Sequence, residues 1–309
     1  MKTNDLIRIL KKQNIESLFF IDVGSKDRLD SCFELSPITD MVGFEPNPIE
    51  LDRLRNKYQQ HPFQSLQLES SCLSDSNGEV DFYITKHASM SSLLPSDTQN
   101  YRKHFGTYQQ FVQWQDNIAL DKIVRVPSIT LDDYLKDFTA NVDYLKIDTQ
   151  GSELQVLKGA EKWLNDKRIN VLKIEVSTVA VYQNQVLFSD IDVFLRSKGY
   201  VLVDFMTYRD NYRPVFGKPE HKQHHYAPCG DAIYILDTQY LTESNKIKSA
   251  VLLFWLGYYS LGFHLLQNTA ITKNDQKSIS AFRFTEPRSK LKQLLINLCP
   301  PMLLHWLKK

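Results

Sequence analysis

The alternation of short apolar runs with helix-patterned segments is the feature that most constrains this chain. Residues 17–23 (SLFFIDV) read as a buried strand that stops at Gly24. Residues 41–44 form a second run, ending at Glu45-Pro46, and Pro48 then opens a helix whose face carries Leu51, Leu54 and Tyr58. Proline is tolerated in a first helical turn, where its missing N–H would have no intrahelical partner. Residues 63–68 are a third strand candidate, and after a turn at 74–78 residues 79–85 (EVDFYIT) alternate as a half-exposed strand does. Residues 123–126 are strand-like, and 130–134 (TLDDY) start a helix with Thr130 as cap and Asp132 and Asp133 in the first turn. There follow a strand over 142–147, a loop over 148–153, a helix over 154–163 with Leu154, Leu157 and Ala160 on its apolar face, and a strand over 171–176. A helix over 188–198 stops at Gly199, and strands over 200–205 and 232–236 close the pattern. This β-α-β-α order predicts an α/β fold: a mostly parallel sheet with helices on both faces. Composition turns helix-forming after Asp237, which divides the chain into an α/β domain over 1–240 and a C-terminal helical extension over 241–309.

With 309 residues, 42% of them hydrophobic and 24% charged, the chain can bury a full core, which excludes disorder and a staple-dependent miniprotein. Lys plus Arg number 37 against 36 for Asp plus Glu, a net charge of +1 that gives no global electrostatic case for a nucleic-acid partner. Cys32, Cys72, Cys229 and Cys299 form no Cys-x-x-Cys pair and read as reduced thiols of a cytoplasmic protein. The N-terminal segment carries charges throughout and lacks the apolar centre of a signal peptide; Leu6, Ile9 and Leu10 suit an amphipathic helix. Residues 247–266 approach the length of a membrane span yet hold Lys248, Gly257, Gly262 and His264, so a buried helical hairpin and a membrane-touching helix are both open. The amphipathic stretch 291–298 and the terminal MLLHWLKK, with Trp306, fit either a helical cap on the domain or peripheral membrane contact.

In open α/β sheets, ligands bind beyond the carboxyl ends of the strands. Four acids stand at such positions: Asp22, Glu45, Asp148 and Glu175. Gly24 lets the backbone approach a ligand closely. Glu45 lies 23 positions after Asp22, the spacing at which such folds place a carboxylate that accepts from both ribose hydroxyls; capping the helix at Pro48 is its other reading. The first loop, Gly24-Ser25-Lys26-Asp27-Arg28, lacks the three glycines of a dinucleotide fingerprint, which counts against a nicotinamide oxidoreductase. S-adenosylmethionine has no phosphate and needs no such cradle.

FIDVGS at 20–25, GFEPNP at 43–48, SSLLP at 91–95, TLDDYL at 130–135 and LKIDTQGSELQVLKGA at 145–160 occur in that order. IEVS at 174–177, VYQNQVLFSDID at 181–192 and GDAIYIL at 230–236 continue the series. Together these segments resemble the FkbM family of S-adenosylmethionine-dependent methyltransferases, over about residues 17–237. The resemblance implies a class I methyltransferase (Rossmann-like) fold and O-methylation of a hydroxyl on a sugar, glycan or lipid-linked acceptor. It implies that Asp22, Gly24 and Ser25 meet the methionine and ribose part of the cofactor, that Glu45 holds the ribose, and that Pro46, Asn47, Ser71 and Cys72 edge the adenine pocket. Asp148 would lie closest to the reacting methyl, with Gln150 and Glu153 beyond it. In the most similar subgroup glycines occupy the stretch that here reads Lys26-Asp27-Arg28, which opens the alternative of a degenerate methyltransferase-fold scaffold protein.

Methyl transfer to a hydroxyl needs in-line alignment and a base for the departing proton. Asp148 is the first candidate for that base and Glu175 the second; the other reading of Asp148 is a structural acid bonded to backbone amides, and that of Glu175 is helix capping or a salt bridge to a lysine such as Lys146 or Lys173. Ser91 and Ser92 are candidate acceptor contacts or plain turn residues. Tyr208, Arg209, Tyr212 and Arg213 form an aromatic and basic cluster suited to stacking on a sugar, or to surface packing. The HKQHH run at 221–225 has no acid or cysteine at ligand spacing and reads as a solvated loop, so no metal site is expected.

Overall fold

In the computed structural model, residues 3–105, 115–207 and 229–284 are described. The chain opens with α1 (Thr3–Lys12), β1 (Leu18–Val23), β2 (Thr39–Phe44), α2 (Pro48–Lys57), β3 (Ser65–Glu69), β4 (Cys72–Leu73), β5 (Gly78–Thr85), α3 (Thr98–Phe105) and β6 (Leu120–Ile129). It continues with α4 (Leu131–Tyr134), β7 (Val142–Ile147), α5 (Glu153–Lys158), α6 (Glu161–Asn165), β8 (Ile169–Ser177), α7 (Phe188–Ser197), β9 (Tyr200–Thr207) and β10 (Cys229–Leu236). Three helices follow: α8 (Glu243–Trp255), α9 (Tyr259–Gln267) and α10 (Lys273–Ser280).

The main sheet runs β3-β2-β1-β7-β8-β10-β9. Its strands pair in parallel, except that β10 lies antiparallel between β8 and β9. Numbered by their own sequence, the seven strands stand in the order 3-2-1-4-5-7-6, which is the class I methyltransferase sheet. β1 and β7 are buried at every residue, which is why they read as continuous apolar runs rather than alternating ones. Strand order reverses between β1 and β7, so the crevice for a ligand opens beyond their carboxyl ends.

The half-exposed strand expected at 79–85 is present as β5 and lies outside the main sheet. β4, β6 and β5 form a separate three-stranded sheet over a small core of Cys72, Phe82, Ile84 and Val126. The helix expected over 154–163 is two short helices broken at Gly159-Ala160. The break has a local cause: the Asp132 carboxylate accepts from the Lys162 and Trp163 amides at 2.9 and 3.1 Å and so caps a new helix there. The Thr130 cap is present, its hydroxyl accepting from the Asp133 amide at 3.1 Å.

The C-terminal helices share one core with the sheet. Ile247, Val251, Leu252 and Phe254 of α8 and Leu265 and Leu266 of α9 are buried in it. Trp255 stacks on Phe20 with ring centroids 6.1 Å apart and meets Tyr144 edge-on at 5.2 Å. Lys248 reaches the fully buried Asp143 at 3.0 Å, where the carboxylate also accepts from the Phe19 amide and the Asn170 side chain. Among the described residues no helix is long and apolar enough to cross a membrane. The segments 291–298 and 302–309 lie outside the described residues.

Candidate active site

A cavity of about 460 Å³ opens beyond the carboxyl ends of β1, β2, β7 and β8, a volume within the range of small-ligand sites. Of the residues expected at the site, Gly24, Glu45, Pro46, Cys72, Ser91, Asp148, Gln150 and Glu175 line it. Asp22, Ser25, Asn47, Ser71, Ser92 and Glu153 are not on its wall. Arg209, with Tyr208, Tyr212, Arg213 and the histidines at 221–225, lies outside the described residues.

The residues set back from the wall have other work. Asp22 is buried behind it, where its carboxylate accepts the Asp30 amide at 2.6 Å. The Ser25 hydroxyl donates to the Asp22 carbonyl at 2.8 Å. Asn47 caps α2, its side chain accepting from the Ile49 amide at 3.1 Å. The Ser92 hydroxyl accepts from the Leu94 amide at 3.0 Å, which is turn chemistry. Glu153, the first residue of α5, folds back to accept the Thr149 and Gly151 amides at 3.0 and 2.9 Å and thereby fixes the loop that carries Asp148. Burial pushes its carboxyl up to about 7. Ser71 is half-buried just before β4.

Gly24 is required for a reason other than ligand approach. Its φ is +78°, and a Cβ built there would stand 2.0 Å from the Asp148 carbonyl oxygen. The bare backbone lets the loop after β1 lie directly against the loop after β7, where the Asp148 amide donates to the Val23 carbonyl at 3.0 Å.

Glu45 stands between the helix entrance and the cavity. One carboxylate oxygen accepts the Asn47 amide at 2.8 Å at the entrance to α2, while the residue lines the cavity. Burial pushes this carboxyl up to about 7. Phe44, Pro46, Cys72, Leu73 and Phe82 form the apolar wall on its side.

At the opposite side Asp148, just after β7, and Glu175, near the end of the adjacent parallel β8, share one donor. The Gln150 side-chain amide donates to Asp148 at 2.8 Å and to Glu175 at 2.5 Å. Gln150 sits at φ +57°, and its carbonyl lies 3.3 Å from the Tyr182 hydroxyl, which keeps the NH₂ turned to the acids. Burial pushes the Glu175 carboxyl well up, and the neighbouring Asp148 charge adds to this. Burial also acts upward on Asp148, but the Lys146 charge and the hydrogen bonds from Gln150 and Glu175 outweigh it and hold Asp148 below the usual carboxylate range. The two environments thus push in opposite directions, toward the protonated form at Glu175 and the ionised form at Asp148.

Six charged residues of the wall were not singled out as site residues: Lys26, Asp27 and Arg28 of the first loop, and Asp30, Lys146 and Lys173. Lys146 and Lys173 are in register with Asp22 across β1, β7 and β8, so the three side chains share a face of the sheet. Lys173 pairs with Asp30 at 3.0 Å and Asp231 at 3.5 Å, and the Tyr144 hydroxyl also donates to Asp30 at 3.0 Å. The signal available in the sequence was a lysine flanked by apolar residues in each of two mostly apolar strands, a position where an unpaired ammonium is costly. Glu175 pairs with neither lysine; the expected salt bridge gives way to the Gln150 link.

No curated protein matches this sequence. Among solved structures it is similar to a precorrin-6Y C5,15-methyltransferase from Geobacter metallireducens GS-15 (13% identity, 74% of this chain and 87% of that chain, TM-score 0.34). It is similar to the SAM-bound magnesium protoporphyrin IX methyltransferase of Synechocystis PCC 6803 (7% identity, 75% and 76%, TM-score 0.35). A third is a TehB-like SAM-dependent methyltransferase from Corynebacterium glutamicum (11% identity, 77% and 89%, TM-score 0.32). The strand order, rather than these overlaps, carries the fold. The methyltransferase FkbM domain model matches residues 22–202, from the end of β1 through α7 and into β9, and the chain belongs to the FkbM family of S-adenosylmethionine-dependent methyltransferases.

Proposed function

We propose that the Asp148–Glu175 pair is the proton acceptor for transfer of a methyl group to a hydroxyl of a sugar or similar polyol. The observation that carries this reading is the pair itself: two carboxyls at adjacent strand ends, on the cavity wall, joined through Gln150. The donor set fits S-adenosylmethionine. Asp148 offers an anionic oxygen to a sulfonium, Glu45 offers a carboxyl to a vicinal diol, and the wall of Phe44, Leu73 and Phe82 suits a flat base.

When bound, S-adenosylmethionine supplies a methyl carbon activated on a positively charged sulfur. Asp148, held toward its ionised form by Lys146, would take the proton that the acceptor hydroxyl gives up. Glu175, pushed by burial toward its protonated form, lies beside it and shares the Gln150 donor. Gln150 and Tyr182 hold the pair in place, and the cost of orientation is met before reaction. Glu45 near neutrality exchanges its proton when a diol binds, so cofactor binding is coupled to pH.

The test is an Asp148→Asn variant assayed twice. Calorimetry with S-adenosylhomocysteine is expected to show retained binding, while methylated sugars recovered from a null strain carrying the variant fall by about 10²–10⁴-fold in formation rate. A variant that restores those sugars as well as the unaltered protein does would reject Asp148 as the base.

A further inference from the structure

Lys146 is the penultimate residue of β7, with a side chain only 11% exposed. Its ammonium donates to the Gly24 carbonyl at 2.9 Å. It also stands 3.1 Å from an Asp22 carboxylate oxygen and 3.5 Å from one of Asp148. The Asp22 contact is an ion pair without hydrogen-bond geometry, since that oxygen has no hydrogen-bond partner among the described residues. Gly24 lies in the loop after β1 and Asp148 in the loop after β7. One cation thus touches both loops that frame the cavity and the acid between them. Burying an ammonium costs several kcal/mol even after relaxation, and an apolar residue such as its neighbours Leu145 and Ile147 would avoid that cost. A charge retained there has a use that packing does not supply.

We propose that Lys146 is the positioning residue of the active site, locking the Gly24 carbonyl and the Asp148 carboxylate together so that the cofactor loop and the reacting acid hold one geometry. This rests on Asp148 being the reacting acid. The charged groups around Lys146 are Asp22 and Asp30 from the β1 side, Asp148 from its own strand, Lys173 from β8 and, farther off, Glu45 from β2. Those facing Asp148 are Lys146, Glu175 and Glu153, with the neutral Gln150 and the Tyr182 hydroxyl.

The experiment uses the full chain and three variants, Lys146→Met, Lys146→Arg and Asp22→Asn/Lys146→Met. The double variant leaves no orphaned buried acid behind Lys146, so it is the one expected to stay folded. S-adenosylhomocysteine binding is measured by calorimetry across a pH series, and carboxyl protonation by difference infrared spectroscopy. The expected result is a loss of about 10-fold or more in affinity for both methionine variants, corresponding to about 1.4 kcal/mol. The Asp148–Glu175 pair is expected to titrate at higher pH in them, and Lys146→Arg to restore that titration. A folded double variant with unchanged affinity and unchanged carboxyl titration overturns the proposal. So does a double variant that cannot fold, which would assign Lys146 to the fold alone. Absence of S-adenosylhomocysteine binding by the unaltered protein, or full activity of Asp148→Asn, would instead count against the reading of the site on which this proposal rests.

Discussion

Replacing Gly24 by alanine tests the contact between the two loops directly. The new Cβ would stand 2.0 Å from the Asp148 carbonyl oxygen and 3.0 Å from its carbon, at a φ of +78°. An unstrained carbon–oxygen contact is about 3.3 Å, so the loops must part by about 1.3 Å. A left-handed non-glycine residue costs about 1–2 kcal/mol. Forcing packed backbone apart adds about 1–3 kcal/mol, for a sum of about 2–5 kcal/mol. At about 2 °C per kcal/mol for a domain of this size, the melting temperature should fall by roughly 4–10 °C. Gly257→Ala is the matched control: its φ is +94°, but a Cβ there meets nothing within 4 Å, so only the conformational cost applies. The parting would also break the Asp148 amide bond to Val23 and the Lys146 bond to Gly24, so S-adenosylhomocysteine affinity should fall as well. Thermal melts and calorimetry on the two variants decide the matter. If Gly24→Ala melts with Gly257→Ala and binds S-adenosylhomocysteine like the unaltered protein, the close approach has been misjudged.

Other expectations concern charge. Glu45 and Glu153 both titrate near 7 in the folded chain against an ordinary value of 4.5, so between these the folded form binds more protons than the unfolded one. Stability without cofactor should therefore fall as pH rises from about 5 to about 7, and Glu153→Gln should flatten that slope; a melting temperature that climbs over this range would contradict it. Lys248→Met leaves Asp143 buried and unpaired and should cost about 3–5 kcal/mol by urea denaturation, with most of it regained on adding Asp143→Asn. Equal losses in the single and double variants would show that packing of the lysine stem, not the ion pair, is at stake. Glu45→Gln should make cofactor affinity independent of pH near neutrality, and a pH slope that survives the substitution would place the titrating group elsewhere.

The sheet was legible because strand burial writes itself into composition: the runs at 17–23 and 142–147 are mostly apolar, and each has an acid at or just beyond its end, Asp22 and Asp148. The acids at the strand ends, Asp148 after β7 and Glu45 after β2, with the resemblance to identify them, led to two sides of the cavity. What stayed hidden was partner choice. The EVDFYIT alternation says that one face is buried but not against which sheet, and it belongs to the smaller one. Side-chain direction was hidden too. Asp148 and Glu153 stand at the two ends of one short loop, yet Glu153 turns inward to the Thr149 and Gly151 amides and Asp148 faces the cavity. The role of Lys146 depends on the register of β1 against β7, a long-range pairing that no local pattern encodes.

The place of β10 has a consequence for how the chain is made. β8 and β9 are consecutive in sequence but never touch as neighbours; β10, which follows both, is the strand that joins them. During synthesis β8 would leave the ribosome with an open edge, and β9, with Val201 and Met206 still partly exposed even in the finished fold, would wait unpaired. Exposed strand edges of this kind invite pairing with another chain. The vulnerable interval ends only when Cys229–Leu236 emerges and inserts between them. A nascent chain stalled after β9 should therefore be the species most in need of a holding chaperone.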